Sequence, residues 1–147
     1  MTALHRTASE ADTIAFGREL ARTLPRRAVV LLIGKLGAGK TTLAKGIVEG
    51  LGAASPDEVA SPTFTLIHEY GGGRVYHVDL YRLEHAREAA TLGLDEIFDR
   101  DALVLIEWGE RFPELLPDER IEISLRATGE DDAREIEIRI LPSGKQL

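Results

Sequence analysis

Hydrophobic residues along this chain fall into short runs whose spacing alternates between that of strands and that of helices. Two runs are continuously apolar, over residues 28–33 and 102–106, as is typical of strands buried on both faces of a parallel sheet. Three segments have apolar residues at roughly helical spacing and predict helices over 9–24, 40–51 and 84–98. The alternation of these elements predicts an α/β fold.

The other hydrophobic positions alternate with polar ones and predict two β-hairpins. Residues 63–70 and 74–81 flank three consecutive glycines, and residues 120–127 and 134–141 flank an acidic turn at 128–132. Hairpin strands are antiparallel, so they make the sheet mixed around a parallel centre. We expect a single domain over residues 1–147.

Composition and charge narrow the classes of protein to which the chain can belong. It has 147 residues, a net charge of −7 and no cysteine, which excludes disulfides and thiolate metal sites and fits a cytoplasmic location. The apolar runs are far shorter than the ~20 residues that span a membrane, so no membrane association is expected. Residues 51–147 carry 10 Lys/Arg against 21 Asp/Glu, which argues against non-specific nucleic-acid binding.

The turn after the first apolar run reads GKLGAGKTT, residues 34–42, and fits the phosphate-loop pattern G-x-x-x-x-G-K-[ST]. Glycines let backbone N–H groups approach a phosphate closely, and the N-terminus of the next helix faces the same anion. The sequence therefore predicts binding of a nucleotide with Mg²⁺. The residues expected to contact the nucleotide are Leu36, Gly37, Ala38, Gly39, Lys40, Thr41 and Thr42.

Two acidic residues follow predicted strands and are candidates to orient Mg²⁺ or water. Glu107 directly follows the apolar run 102–106, and Asp79 follows residues 75–78. In open α/β sheets, ligands lie beyond the carboxyl ends of the strands, where both acids are expected. Asp79 has an alternative interpretation as a turn or capping residue.

Three aromatic or imidazole side chains have open interpretations. Trp108, the only tryptophan, either covers the nucleotide or anchors the core. His68 and His77 lie on neighbouring predicted strands, but metal binding is the less favoured interpretation because the sequence offers no third ligand.

Four segments together resemble the bacterial TsaE (YjeE) family: GKLGAGKTT, SPTF at 61–64, HVDLYR at 77–82 and IEW at 106–108. They occur in the family's order, the resemblance covers essentially the whole chain, and SPTF and HVDLYR are much more specific than the phosphate loop. The resemblance implies a P-loop NTPase with a three-layer fold and a mixed sheet. It also implies an Mg²⁺-dependent ATPase that binds TsaD-like and TsaB-like partners during synthesis of N6-threonylcarbamoyladenosine in transfer RNA. On this interpretation the partners carry out the transfer, and contact with transfer RNA is indirect.

The resemblance also assigns roles to individual residues. Lys40 matches the family's phosphate position, and Thr41 and Glu107 match its Mg²⁺ positions. Glu107 and Asp79 remain alternatives for orienting the attacking water. Together with Lys40, they are the predicted catalytic residues.

Three further positions follow from the same resemblance. Ser61 and Thr63 match a segment that resembles a switch responding to the γ-phosphate. Thr13 matches a position near the nucleotide. The chain departs from the family at Lys35, where the usual residue is aspartate. That cation either tightens nucleotide binding or replaces a group that positions water, and the sequence leaves both open.

Three other functions compete with a partner-stimulated ATPase. A small-molecule kinase would need an acceptor pocket and commonly an arginine-rich lid, but residues 84–101 contain only Arg87 and Arg100. A GTPase of the common class would need an Asn-Lys-x-Asp motif, and the chain has no asparagine. A binding module that holds the nucleotide without hydrolysis stays open because of Lys35.

Overall fold

Seven strands form one mixed sheet in the computed structural model of the chain, which describes residues 2–62 and 66–142. The strands are β1 (Thr2–Thr7), β2 (Ala28–Ile33), β3 (Ile67–Tyr70), β4 (Val75–Asp79), β5 (Leu103–Glu107), β6 (Arg120–Ala127) and β7 (Arg134–Leu141). The α-helices are α1 (Glu10–Ala21), α2 (Lys40–Gly50) and α3 (Leu94–Phe98). Short 3₁₀ segments occupy Pro56–Glu58, Ala86–Leu92, Gly109–Arg111 and Pro113–Leu115.

The order of the strands across the sheet is β1-β7-β6-β2-β5-β4-β3. Strand β2 is parallel to both of its neighbours, β5 and β6, and β4 is parallel to β5. Strands β3, β7 and β1 are added antiparallel. Four strands run in the same direction and end at the same edge of the sheet: β2, β4, β5 and β6. The turn between β6 and β7 lies at this edge too. This mixed α/β sheet confirms the predicted fold class.

The alternation of side chains along the strands divides the core into two layers. On one face, Val30 and Leu32 of β2 pack with Leu105 of β5 against α1 and α2. On the other face, Val29 and Leu31 pack with the segment around α3. Continuously apolar strands are needed here because both faces of the sheet are covered. Helices and 3₁₀ segments on both sides of the sheet make three layers.

Helices α1 and α2 pack closely because glycines face each other across their contact. A Cβ at Gly17 would lie 2.7 Å from the carbonyl oxygen of Leu43, and a Cβ at Gly46 would overlap the carbonyl oxygen of Ile14. Both obstructing atoms belong to the backbone, which cannot move aside as the end of a flexible side chain can. The close packing fixes α2, and with it the loop that precedes α2, against the N-terminal part of the chain.

We expect Gly46→Ala to lower the free energy of unfolding by about 1–3 kcal/mol, the usual cost of overpacking. The sign is informative because alanine favours an isolated helix by about 1 kcal/mol over glycine. Urea denaturation measures the difference. Lys45→Ala, on the same helix but partly exposed, is the matched control and should change stability by less than about 0.5 kcal/mol. An increase in stability at Gly46→Ala would show that the two backbones are not in tight contact.

The structure differs from the sequence prediction in three elements. Strand β1 was not predicted: it is an edge strand with Leu4 57% exposed, and its pairing with β7 defines it. The helix predicted over 84–98 is a 3₁₀ segment and the short α3, separated at Gly93, whose φ is 72°. The predicted strand 63–70 is β3 from Ile67 onward, and residues 63–65 lie outside the described part. None of the helices within residues 2–62 and 66–142 combines the length and the apolar character that a membrane span requires.

Candidate functional site

The loop between β2 and α2 is a tight turn built on left-handed glycines. Gly37 and Gly39 have φ of 81° and 102°, values that a residue with a Cβ adopts only under strain. The Ala38 N–H donates to the Lys35 carbonyl at 3.0 Å, which closes the turn. The loop begins directly at the carboxyl end of β2, so its backbone lies at the edge where the parallel strands end.

The N-terminus of α2 is left without the groups that normally stabilise a helix start. Gly39, its N-cap, has no side chain to accept a hydrogen bond, and the first turn contains no acidic residue. Helix α1 shows the contrast: Ser9 caps it through the Asp12 N–H, and Glu10 and Asp12 lie in its first turn. A helix N-terminus carries partial positive charge and N–H groups without intrahelical partners. The start of α2 is therefore suited to an external anion.

Lys40 is buried at the centre of this arrangement. Its Nζ donates to the Gly34 carbonyl at 2.7 Å and lies 3.4 Å from the centroid of the Trp108 ring. Burial lowers the pKa of Lys40, while the carboxylates of Glu107, Glu110 and Asp79 act in the opposite direction. The three carboxylates offset only part of the decrease in pKa that burial causes. An additional anion near Nζ would further favour the charged ammonium.

Two buried carboxylates stand side by side at the carboxyl ends of β4 and β5, where Asp79 is paired with Glu107 in register. Glu107 accepts a hydrogen bond from the Thr41 hydroxyl, 3.2 Å from one carboxylate oxygen and 3.4 Å from the other. Asp79 accepts from the Ser61 hydroxyl and from the Tyr81 N–H, each at 2.8 Å. Thr41 of α2, Asp79 of β4 and Glu107 of β5 thus place hydroxyl and carboxylate groups in the wall of one cavity beside the loop.

These groups line one cavity of about 420 Å³. The loop forms its centre, the ends of β4 and β5 form one side, and the start of α1 and the β6–β7 turn form the other. The lining residues are Glu10, Thr13, Leu36, Gly37, Gly39, Lys40, Thr41, Thr42, Ser61, Asp79, Tyr81, Glu107, Trp108, Asp132 and Arg134. The volume is within the range of ~300–1,000 Å³ that is usual for small-molecule sites.

The structure brings most of the residues predicted from the sequence into this cavity. Ala38 is the exception within the loop: its side chain is buried in the core and does not line the cavity. Leu36 lines the mouth and is 81% exposed. Lys35 is exposed and does not line the cavity. Thr63 lies outside the described residues.

Thr13, the predicted residue that precedes the loop in sequence, is buried in the cavity wall. Its hydroxyl is 2.7 Å from the hydroxyl of Thr7 and donates to the Ser9 carbonyl at 3.1 Å. The first contact ties the end of β1 to α1, and the second lies within the first turn of α1. The side chain therefore shapes the wall of the cavity opposite the carboxylates.

A family model described as threonylcarbamoyl adenosine biosynthesis protein TsaE matches residues 7–136 of the chain. The chain belongs to the TsaE family. The matched residues include every segment of the cavity described above. The TsaE resemblance inferred from the four sequence motifs is confirmed.

Individual TsaE proteins support the same assignment. The tRNA threonylcarbamoyladenosine biosynthesis protein TsaE of Bacillus subtilis is 44% identical over 133 residues, which covers 89% of this chain and 81% of the relative. The protein of the same name from Haemophilus influenzae is 39% identical over 136 residues, covering 88% and 84%. The crystal structure of YdiB from Bacillus subtilis superposes with a TM-score of 0.77 at 37% identity and covers 96% of this chain and 86% of YdiB.

Arg134 of this TsaE-family chain is a cavity residue that the sequence interpretation missed. From the start of β7 its guanidinium reaches the loop, where Nε donates to the Ala38 carbonyl at 2.9 Å and Nη2 to the Gly37 carbonyl at 3.2 Å. Nη1 donates to the carbonyls of Asp131 and Ala133 in the β6–β7 turn. No local motif marks this residue, because its contacts join positions nearly a hundred residues apart.

Histidines do not form a metal site with the acids in the described part of this TsaE-family chain. Residues 2–62 and 66–142 contain no group of three or more His, Cys, Asp or Glu arranged to hold a metal ion. His77 instead contacts Glu107, with Nε2 2.5 Å from Oε2. His68, across from it on β3, has its Nδ1 3.2 Å from the Tyr70 hydroxyl.

Proposed function

We propose that this chain is an Mg²⁺-dependent ATPase that supports TsaD-like and TsaB-like partners in the N6-threonylcarbamoyladenosine modification of transfer RNA. The observation that carries the proposal is the phosphate loop itself. It combines left-handed glycines, a helix N-terminus with no side-chain cap and a buried lysine whose loss of water is only partly offset by the nearby carboxylates. A triphosphate supplies the anion that each of these features favours.

The oxygen atoms beside the loop fit a magnesium ion held partly by the nucleotide. Magnesium usually takes one or two protein oxygens, keeps several waters and binds substrate phosphates, so it needs no cluster of protein ligands. Thr41 and Glu107, whose side-chain oxygens are 3.2 and 3.4 Å apart, would hold it. When bound, the ion neutralises charge on the phosphates.

The protein groups would act on ATP mainly by positioning and by charge, as is general for phosphoryl transfer. Lys40 and the N–H groups of the loop would hold the phosphates. Glu107 is the acid nearest to Thr41 and is assigned to the magnesium and its water. Asp79 accepts from Ser61, so it would link the segment around Ser61 to the site and remains a second candidate for orienting the water.

Partner stimulation is supported by the open mouth of the cavity. Leu36 is 81% exposed and Tyr81 47% exposed, and both line the cavity. A partner that covers the mouth would bury these apolar groups and exclude water from the phosphates, which strengthens electrostatic interactions at the site. TsaD-like and TsaB-like proteins are the proposed partners, and the modification of transfer RNA is the proposed outcome.

The proposal is tested by measuring phosphate release from ATP by the chain alone, with either partner and with both. We expect slow turnover alone, a clear increase with both partners, and loss of turnover when EDTA removes Mg²⁺. Turnover stimulated by a small metabolite and not by the partners would favour a kinase. Support of modification by a variant that binds ATP without hydrolysing it would favour a binding module.

We expect Arg134→Gln to weaken binding of ADP about tenfold. A hydrogen bond from a charged donor contributes ~1.5–3 kcal/mol, and 1.4 kcal/mol corresponds to tenfold. Without the two bonds to Gly37 and Ala38, the loop must be ordered by the nucleotide itself. Isothermal titration calorimetry measures the dissociation constant. Arg126→Gln, on the same hairpin but exposed and paired with Glu135, is the matched control. An unchanged dissociation constant in Arg134→Gln would rule out a role in holding the loop.

A further inference from the structure

His77 is a fully buried imidazole in a strand that otherwise carries the core. It lies in β4 between Tyr76 and Val78, and its relative exposure is 0%. Strand β4 is parallel to β5, so His77 lies opposite Leu105 and two residues before the Asp79–Glu107 pair. Side chains two residues apart share a face, and His77 and Glu107 therefore lie on the face that is covered by α2.

The contacts of His77 favour one of the two possible positions for its hydrogen. Nε2 is 2.5 Å from Oε2 of Glu107, whereas Nδ1 is buried and has no hydrogen-bond partner among the described residues. A hydrogen on Nδ1 alone would be a buried donor without an acceptor, and it would place the Nε2 lone pair against a carboxylate. With the hydrogen on Nε2 and donated to Glu107, Nδ1 is left only as a buried acceptor without a donor, and the bond to the carboxylate favours this tautomer.

We propose that His77 is a positioning residue that holds the Glu107 carboxylate towards Thr41. The inference rests on the proposed ATPase function, in which Glu107 serves the magnesium ion and its water. His77 and Thr41 donate to the carboxylate from β4 and from α2, so its rotation about the last side-chain bond is restricted. The remaining lone pairs of the carboxylate then face the cavity. Partners that orient a metal-binding group in this way typically change metal affinity or activity by about 10- to 100-fold when replaced.

The reach of the side chain provides the test, because glutamine and asparagine carry the same amide on stems of different length. The amide nitrogen of His77→Gln comes close to the position of Nε2 and can donate to Glu107, whereas that of His77→Asn falls near Nδ1 and cannot. We expect His77→Asn to lower kcat about 10- to 100-fold and to raise the Mg²⁺ concentration for half-maximal rate. His77→Gln should recover most of both, and ADP binding without Mg²⁺ should change less than threefold in either variant.

His68→Asn is the matched control, since His68 lies opposite His77 on β3 and does not line the cavity. It should leave kcat and the Mg²⁺ dependence unchanged. Equal kcat and equal Mg²⁺ dependence in wild type, His77→Asn and His77→Gln would overturn the inference. Equal losses in both variants would also overturn it, because they would show a structural role without a role for the donor.

A measurement on the nucleotide-free protein separates this inference from the proposed function. In ¹⁵N-histidine-labelled protein, nitrogen shifts and long-range couplings to the ring protons identify the tautomer of each of the 4 histidines. We expect a hydrogen on Nε2 of His77 and a change in its shift in Glu107→Gln. A hydrogen on Nδ1 alone would overturn the inference even if the asparagine variant fails to fold. Absence of ATP hydrolysis in the wild type, with the Nε2 hydrogen present, would instead contradict the proposed function.

Discussion

Replacing Lys40 by alanine is expected to reduce ATP turnover by about 10²- to 10³-fold and to weaken binding of ADP. The magnitude is that of removing one preorganised donor from a site where negative charge is stabilised. Lys40 is buried and lines the cavity, and the nearby carboxylates repel a phosphate once the lysine is gone. Loss of binding and loss of turnover should therefore occur together.

Calorimetry with ADP and a phosphate-release assay measure the two quantities for Lys40→Ala. Lys45→Ala removes a lysine further along α2 that does not line the cavity, and it should preserve both quantities. Thermal denaturation shows whether each variant is folded. Folded Lys40→Ala with wild-type affinity for ADP would contradict the assignment of the loop as the phosphate site.

The central part of the fold could be predicted because its sequence signals are local. Strands β2 and β5 are continuously apolar, and the phosphate loop between β2 and α2 has a fixed pattern of glycines and lysine. Strand β1 could not be predicted in the same way. Its Leu4 is exposed and its hydrogen bonds come from β7, which is more than a hundred residues away in the sequence. Edge strands of this kind are specified by their partners.

The residues of the candidate site also divide into those that have a local signal in the sequence and those that have none. Lys40, Thr41 and Glu107 were predicted because each belongs to a motif or directly ends a strand. The contact of Arg134 with the loop depends on the place of the β6–β7 turn at the carboxyl edge of the sheet, which follows from strand order. The pairing of His77 with Glu107 depends on the register of β4 against β5. Neither strand order nor register has a local signal in the sequence.

The structure bears on the interpretation of Lys35, for which the sequence leaves two effects open. A lysine in place of the usual aspartate would alter the local charge by two units if its side chain lined the phosphate site. In the structure Lys35 is exposed outside the cavity, and its carbonyl closes the turn with the Ala38 N–H. Lys35 thus contributes to the loop through its backbone carbonyl, and its side chain is not part of the cavity wall. The buried acids that line the cavity are Asp79 of β4 and Glu107 of β5.

Replacing Glu107 by glutamine is expected to lower kcat for ATP by about 10²- to 10⁴-fold, the range for removing a general base or the acid that orients water. The amide keeps the shape of the side chain and still accepts from His77, so the fold should be preserved. In contrast to Lys40→Ala, binding of ADP without Mg²⁺ should be unchanged or tighter, because a negative charge near Lys40 is removed.

Single-turnover hydrolysis measures the change in kcat of Glu107→Gln, and calorimetry measures its binding of ADP. Glu114→Gln, an exposed acid in the 3₁₀ segment Pro113–Leu115, is the matched control and should behave as the wild type. Full turnover in Glu107→Gln, with or without partners, would transfer the role of this acid to Asp79.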